Sequence, residues 1–160
     1  MVGLTAENPI GALLLAIIFS IAVMIAVIDI RIHIIPNKLV LTLMATGVLF
    51  QLIQFGGRSL LIAVACMLGI TVIFLIVGAI IGLHKIGAGD VKLAGAMGLV
   101  LGYPHILTAV LAMSIVLLAY CFIGVYAYKL TMKSMFAYAP FMMLGLVVGL
   151  ITIAANISIF

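Results

Sequence analysis

The sequence predicts an all-α membrane protein, a bundle of about six transmembrane helices with a Gly-x-Gly-Asp loop at the cytoplasmic side. Three observations predict it. Of 160 residues, 69% are hydrophobic and 6% charged, too apolar a composition to hide in a soluble core. The apolar residues gather into runs near the length of about 20 residues that crosses a bilayer, and the breaks between runs hold most of the Pro, Lys and Arg. Those cations distribute unevenly between the two sides that alternating crossings would define.

The first apolar run, about Pro9 to Ile28, ends on Asp29. The stretch from Ile30 to Lys38 reads as a short turn, because Pro36 biases Ile35 toward extended backbone. A second run, about Leu39 to Phe55, stops at Gly56-Gly57-Arg58, and a third covers about Ser59 to Leu83. The run Val91 to Leu101 is short and closes at Gly102-Tyr103-Pro104-His105. The fifth, about Ile106 to Tyr128, precedes Lys129 and Lys133, and the last, about Ala139 to Ile159, carries Pro140 near its start, where a missing N–H does little harm.

Six crossings place Arg31, Lys38, Lys85, Lys92, Lys129 and Lys133 on one side and Arg58 on the other. The first side is then cytoplasmic, with both chain ends outside. The segments use nearly the whole chain, so residues 1–160 form one transmembrane domain. The basic residues stand singly and build no stripe for phosphates, which excludes nucleic acid as a partner. Cys66, Cys121, His33, His84 and His105 are scattered, so neither a metal site nor a cofactor is expected. The glycine pairs Gly78/Gly82, Gly98/Gly102 and Gly145/Gly149 read as places where helices approach closely.

The chain has three acids, Glu7, Asp29 and Asp90, and the two Asp residues abut apolar runs. An ionisable group in that setting is costly and marks function. Two crossings separate Asp29 from Asp90, so both return to the same face. Carboxylates brought together share a proton, one polarising a peptide carbonyl while the other takes a proton from water, the arrangement of an aspartic protease. Helix dipoles should part them: Asp29, closing a helix, is expected to hold the proton, and Asp90, opening one, to be the ionised base. Gly87 and Gly89 allow positive φ and close approach of another chain. Lys92, two residues past Asp90, points away from it on a helix and snorkels to the interface, with substrate contact as a second role. The reading from another class is a small proton-coupled transporter using paired intramembrane carboxylates.

Asp29, Arg31 and Ile35-Pro36-Asn37, followed by Gly87-Ala88-Gly89-Asp90-Val91-Lys92-Leu93, resemble the two motifs of the type IV prepilin peptidases, the A24 family of membrane aspartic proteases, to which the archaeal preflagellin peptidases are also similar. Ala139-Pro140-Phe141 is similar to a Pro-Phe segment of that family's last helix. The resemblance implies Asp29 and Asp90 as the catalytic pair, with Gly87, Gly89, Lys92, Pro36 and Asn37 positioning the motif or substrate. It implies removal of the short basic leader of type IV prepilins or pilin-like precursors, in pilus assembly or protein secretion, at the cytoplasmic face of a cell membrane. Bifunctional members carry a further cytoplasmic domain near the N-terminus that methylates the new N-terminus. Because the sequence opens directly on its first span, it is similar to the short, peptidase-only form, and methyltransferase activity is not expected.

Overall fold

A computed structural model describes residues 9–81, 87–128 and 138–155. Gly82, His84, Lys85, Lys129 and Lys133 lie outside them. The described residues form α1 (Pro9–Ile32), α2 (Asn37–Phe55), α3 (Gly57–Ile81), α4 (Ala88–Leu101), α5 (His105–Tyr128) and α6 (Ala139–Ala154). By length and composition α1, α2, α3 and α5 can each cross a membrane, and the whole is an all-helical, multi-span membrane protein.

The expected runs match these helices closely except at two places that bear on the site. The first concerns α1, which does not stop at Asp29. It runs on to Ile32, and His33 closes it at φ 57, its N–H donating to the Asp29 carbonyl at 2.8 Å. Asp29 therefore sits one turn inside the helix. It extends the buried stripe Leu14, Ile18, Ile21, Ala22 and Ile25 at helical spacing, and it is itself buried. The second place is the Gly-x-Gly-Asp stretch, which is a helix start and not a loop. Gly87 is the N-cap of α4, and Ala88, Gly89 and Asp90 form its first turn.

At 14 residues, roughly 21 Å, α4 is shorter than its neighbours. It packs against α2, α3, α5 and α6, while α1 joins α2 to α6, so α4 forms the centre and the other helices surround it. Every residue from Leu93 to Leu101 is buried. Small residues permit this closeness. A Cβ on Gly98 would stand 3.0 Å from the Met67 backbone of α3, and one on Gly145 would stand 2.6 Å from the Ala109 carbonyl oxygen of α5. Those two contacts bear out the packing role read for Gly98 and Gly145.

Several polar groups inside the helices find partners within the protein, as an apolar surround demands, whereas the buried Gln54 amide of α2 has no hydrogen-bond partner among the described residues. Ser20, Thr46, Thr71 and Ser114 donate to carbonyls one turn back, at 2.7 to 2.9 Å. At the far end of α4, Gln51 Nε2 donates to the Val100 carbonyl at 2.9 Å, and Ser59 Oγ donates to Gln51 Oε1 at 3.0 Å. The first bond satisfies one of the carbonyls that any helix leaves unpaired at its C-terminus. Large apolar side chains such as Leu61, Ile80 and Leu118, each more than two-thirds exposed, cover the outer surface.

Candidate functional site

At the other end of α4 the chain brings together segments far apart in sequence. Gly87 at the N-cap and Asp90 at the third helical position form half of a capping box. The Asp90 carboxylate reaches back to the Gly87 backbone while Asp90 N–H donates to the Gly87 carbonyl at 3.0 Å. Local sequence thus fixes Asp90 against its own helix. The expectation of positive φ at Gly87 is not met, since its φ is −64. Space matters there instead: a Cβ on Gly87 would stand 2.9 Å from Asp90 Oδ2. Gly89 meets the α1–α2 turn, where a Cβ would stand 3.1 Å from Ile35 Cβ. The close neighbours of both glycines therefore belong to the chain itself.

Asp29 arrives from α1 and is held by a third segment. The Ala139 N–H, the first of α6, donates to Asp29 Oδ2 at 3.0 Å in a buried contact. Both carboxylates therefore face helix N-termini, Asp90 that of α4 and Asp29 that of α6, where backbone donors and the helix dipole favour an acceptor.

Asp90 precedes the apolar run of α4 and lies outside the spanning helices. Burial, and then the nearby charge of Asp29, push its carboxyl from an ordinary value of 3.8 up to about 6, against a downward pull from the Gly87 backbone. That coupling places the two carboxylates within electrostatic reach of each other. The geometry behind the expected proton assignment also differs, because Asp29 does not close α1 and its Oδ2 accepts the Ala139 N–H.

The remaining motif residues are brought to the same end. Pro36 is the N-cap of α2, its carbonyl accepting the Leu39 N–H at 3.1 Å and the Val40 N–H at 3.3 Å. Asn37, the next residue, accepts at Oδ1 a hydrogen bond from Lys92 Nζ at 3.1 Å. Lys92 thus ties α4 to the start of α2, a contact that neither of its expected roles, snorkelling or substrate contact, includes.

Tyr138 escaped the sequence reading altogether. It is the N-cap of α6, adjacent to the residue that binds Asp29. Burial, and then the charge of Asp90, push its phenol above the usual tyrosine range. The one signal available was its place beside the Pro-Phe segment. A residue that reaches the site from 48 positions beyond Asp90 carries no local periodicity that points there.

No solved structure matches the chain. The Prepilin leader peptidase/N-methyltransferase of Dickeya chrysanthemi is 30% identical over 144 residues, an alignment that covers 88% of this chain and 50% of that protein. The chain therefore spans about half the length of this relative. Residues 16–128 match the type IV leader peptidase family, a stretch that contains both Asp29 and Asp90. With most of its length matched in this way, the chain belongs to the type IV leader peptidase family.

Proposed function

We propose that this protein is an aspartic endopeptidase that removes the short basic leader of type IV prepilins or pilin-like precursors, cutting at the cytoplasmic face of a cell membrane. One observation carries the reading above family membership. Two acids separated by two helices are drawn together against the N-termini of α4 and α6, with the charge of one raising the proton affinity of the other.

In the proposed reaction Asp29 is the ionised base and Asp90 the acid. The oxygen of a water molecule bonds to the scissile carbonyl carbon as its proton passes to Asp29, and the carbonyl oxygen takes the Asp90 proton. The C–N bond then breaks. The proton held on Asp29 goes to the departing amine, and a hydroxyl of the intermediate returns a proton to Asp90. The two carboxyls end as they began, and no other reactant is consumed. Gly87 and Gly89 leave room at the start of α4, while Pro36, Asn37 and Lys92 hold the turn after α1 against that helix. The apolar helix of the substrate lies in the bilayer beside the bundle while its leader reaches the acids.

The test is co-expression with candidate prepilins from the same genome, with leader removal followed by gel mobility. Wild type is expected to cleave, and Asp29→Asn and Asp90→Asn to insert normally without cleaving. Cleavage by either variant at the wild-type rate would defeat the reading.

A further inference from the structure

We propose that the apolar groove between α1 and α6 seats the membrane-spanning helix of the substrate, with the scissile bond at the Asp29 end of the seam. The inference rests on the peptidase reading and adds to it the surface that receives the apolar part of the substrate.

The groove opens on the outer surface of the bundle and holds about 340 Å³, between Leu15, Ala16 and Phe19 of α1 and Val147, Ile151 and Ala154 of α6. No charged side chain lines it. The same two helices meet again at their other ends, where the Ala139 N–H donates to Asp29 Oδ2 at 3.0 Å. Between groove and acid each wall continues at helical spacing: Val23, Ala26 and Ile30 follow Phe19 on α1, while Leu144 and Pro140 precede Val147 on α6. Asp29 and Ala139 are each one residue from the ends of those lines, and both are buried. At about 1.5 Å of rise per residue, the groove lies roughly 12 to 22 Å from the acid. A helix laid along the seam therefore has one end at Asp29.

Apolar contact alone does not hold two helices together in a bilayer, because lipid tails offer the same contact. Close packing does, and the small side chains of Ala16 and Ala154 let a partner helix approach. A groove of this size takes the side chains on one face of a helix and not the helix itself, which is about 10 Å across, so the partner packs ridge into groove. A lipid acyl chain would meet the same lining but has no reason to end at Asp29. A peptide bond presented to that acid sends the residues after it along a seam that opens there, and the seam of α1 and α6 does so. The leader then lies on the far side of the acid from the groove. Substrate residues about 8 to 15 positions beyond the cut fall in the groove, at the rise of a helix.

The experiment uses the full chain, purified and reconstituted in lipid nanodiscs, with a synthetic prepilin as substrate. A benzophenone side chain is introduced in place of Phe19 or Ile151 and, for control, in place of Leu61 or Leu118, which are exposed on α3 and α5. Asp90→Asn in the same chain keeps the substrate uncut. Irradiation is expected to join the prepilin to the two groove positions at least about tenfold more than to the controls, with adducts about 8 to 15 residues beyond the cut. Equal yields at all four positions, adducts on the leader, or adducts to lipid alone would overturn the proposal. A kinetic test narrows the groove. Ala16→Leu, at an exposed position, is expected to raise KM at least about fivefold, with kcat within about twofold of wild type and an unchanged melting midpoint. Gly69→Leu, an enlargement on α3 with open space around it, is expected to leave KM within about twofold. A wild-type KM in Ala16→Leu, or an equal rise in both variants, would overturn the proposal while leaving the peptidase reading intact. If wild type cleaves no prepilin, the peptidase reading fails and the docking role of the groove falls with it.

Discussion

Lys92 Nζ donates to Asn37 Oδ1 at 3.1 Å, joining the start of α4 to the start of α2 across 55 positions of sequence. The bond links the two motifs that carry the acids, so each motif braces the other. Both side chains are exposed, which caps the strength of the bond at the modest level of a solvent-facing hydrogen bond, about 1 kcal/mol. Lys92→Met and Asn37→Ala are each expected to slow leader removal by about fivefold, the rate equivalent of that energy. The double variant should be no slower than either single one. A fully additive double-mutant cycle would show that the two side chains act separately.

The raised Asp90 carboxyl makes both rate and stability depend on pH. If the protonated form is the acid, kcat/KM should fall as pH rises through about 6. For stability the sign is that of a group which binds its proton more tightly when folded. Between the ordinary value of 3.8 and about 6 the native state holds more protons than the unfolded one, so stability declines with rising pH across that window. Asp90→Asn should remove this decline and exceed wild type in melting midpoint at pH 8. Equal pH dependence of melting in the two proteins would count against a half-buried Asp90 raised by its surroundings and the Asp29 charge.

Asp29 has two duties that different substitutions separate. Asp29→Asn removes the charge but retains an oxygen for the Ala139 N–H, so it should fold like wild type and fail to cleave. Asp29→Ala also strands that buried donor, at a cost of about 1–3 kcal/mol. The melting midpoint of Asp29→Ala is therefore expected to lie several degrees below that of Asp29→Asn. Coincident midpoints would show that the α6 contact contributes little.

Close helix packing around α5 and α6 predicts a contrast between two glycines. Gly145→Ala presses a methyl group to within 2.6 Å of the Ala109 carbonyl oxygen, and is expected to destabilise by about 1–3 kcal/mol. Gly57→Ala, at the first residue of α3 with open space around it, should leave stability unchanged or slightly raised. Denaturant titration of the two variants side by side checks the contrast.

Much of this architecture was legible in the sequence because lipid imposes a simple rule on length and polarity. The break at Gly102-Tyr103-Pro104 gave the short central helix, and counting crossings brought Asp29 and Asp90 to one side. Less legible were contacts that depend on how helices are rotated about their axes. Lys92 stands two residues past Asp90, and only packing reveals that it meets Asn37. Gln51 is one of two buried glutamines in α2, and nothing nearby in sequence names the Val100 carbonyl as its partner. A charge at the end of the apolar run points to a helix end at Asp29. The helical spacing from Ile25 to Asp29 was the better guide, since it carries the acid along the buried stripe.

The hold on Asp29 by a main-chain amide has a consequence for how this protein varies. Any residue at position 139 except proline supplies the same N–H, so an alanine scan passes over the contact without registering it. The site is insulated there from ordinary side-chain drift. It is correspondingly exposed to changes in chain path, such as an inserted or deleted residue just before α6, which would carry the amide away from the acid and Tyr138 with it.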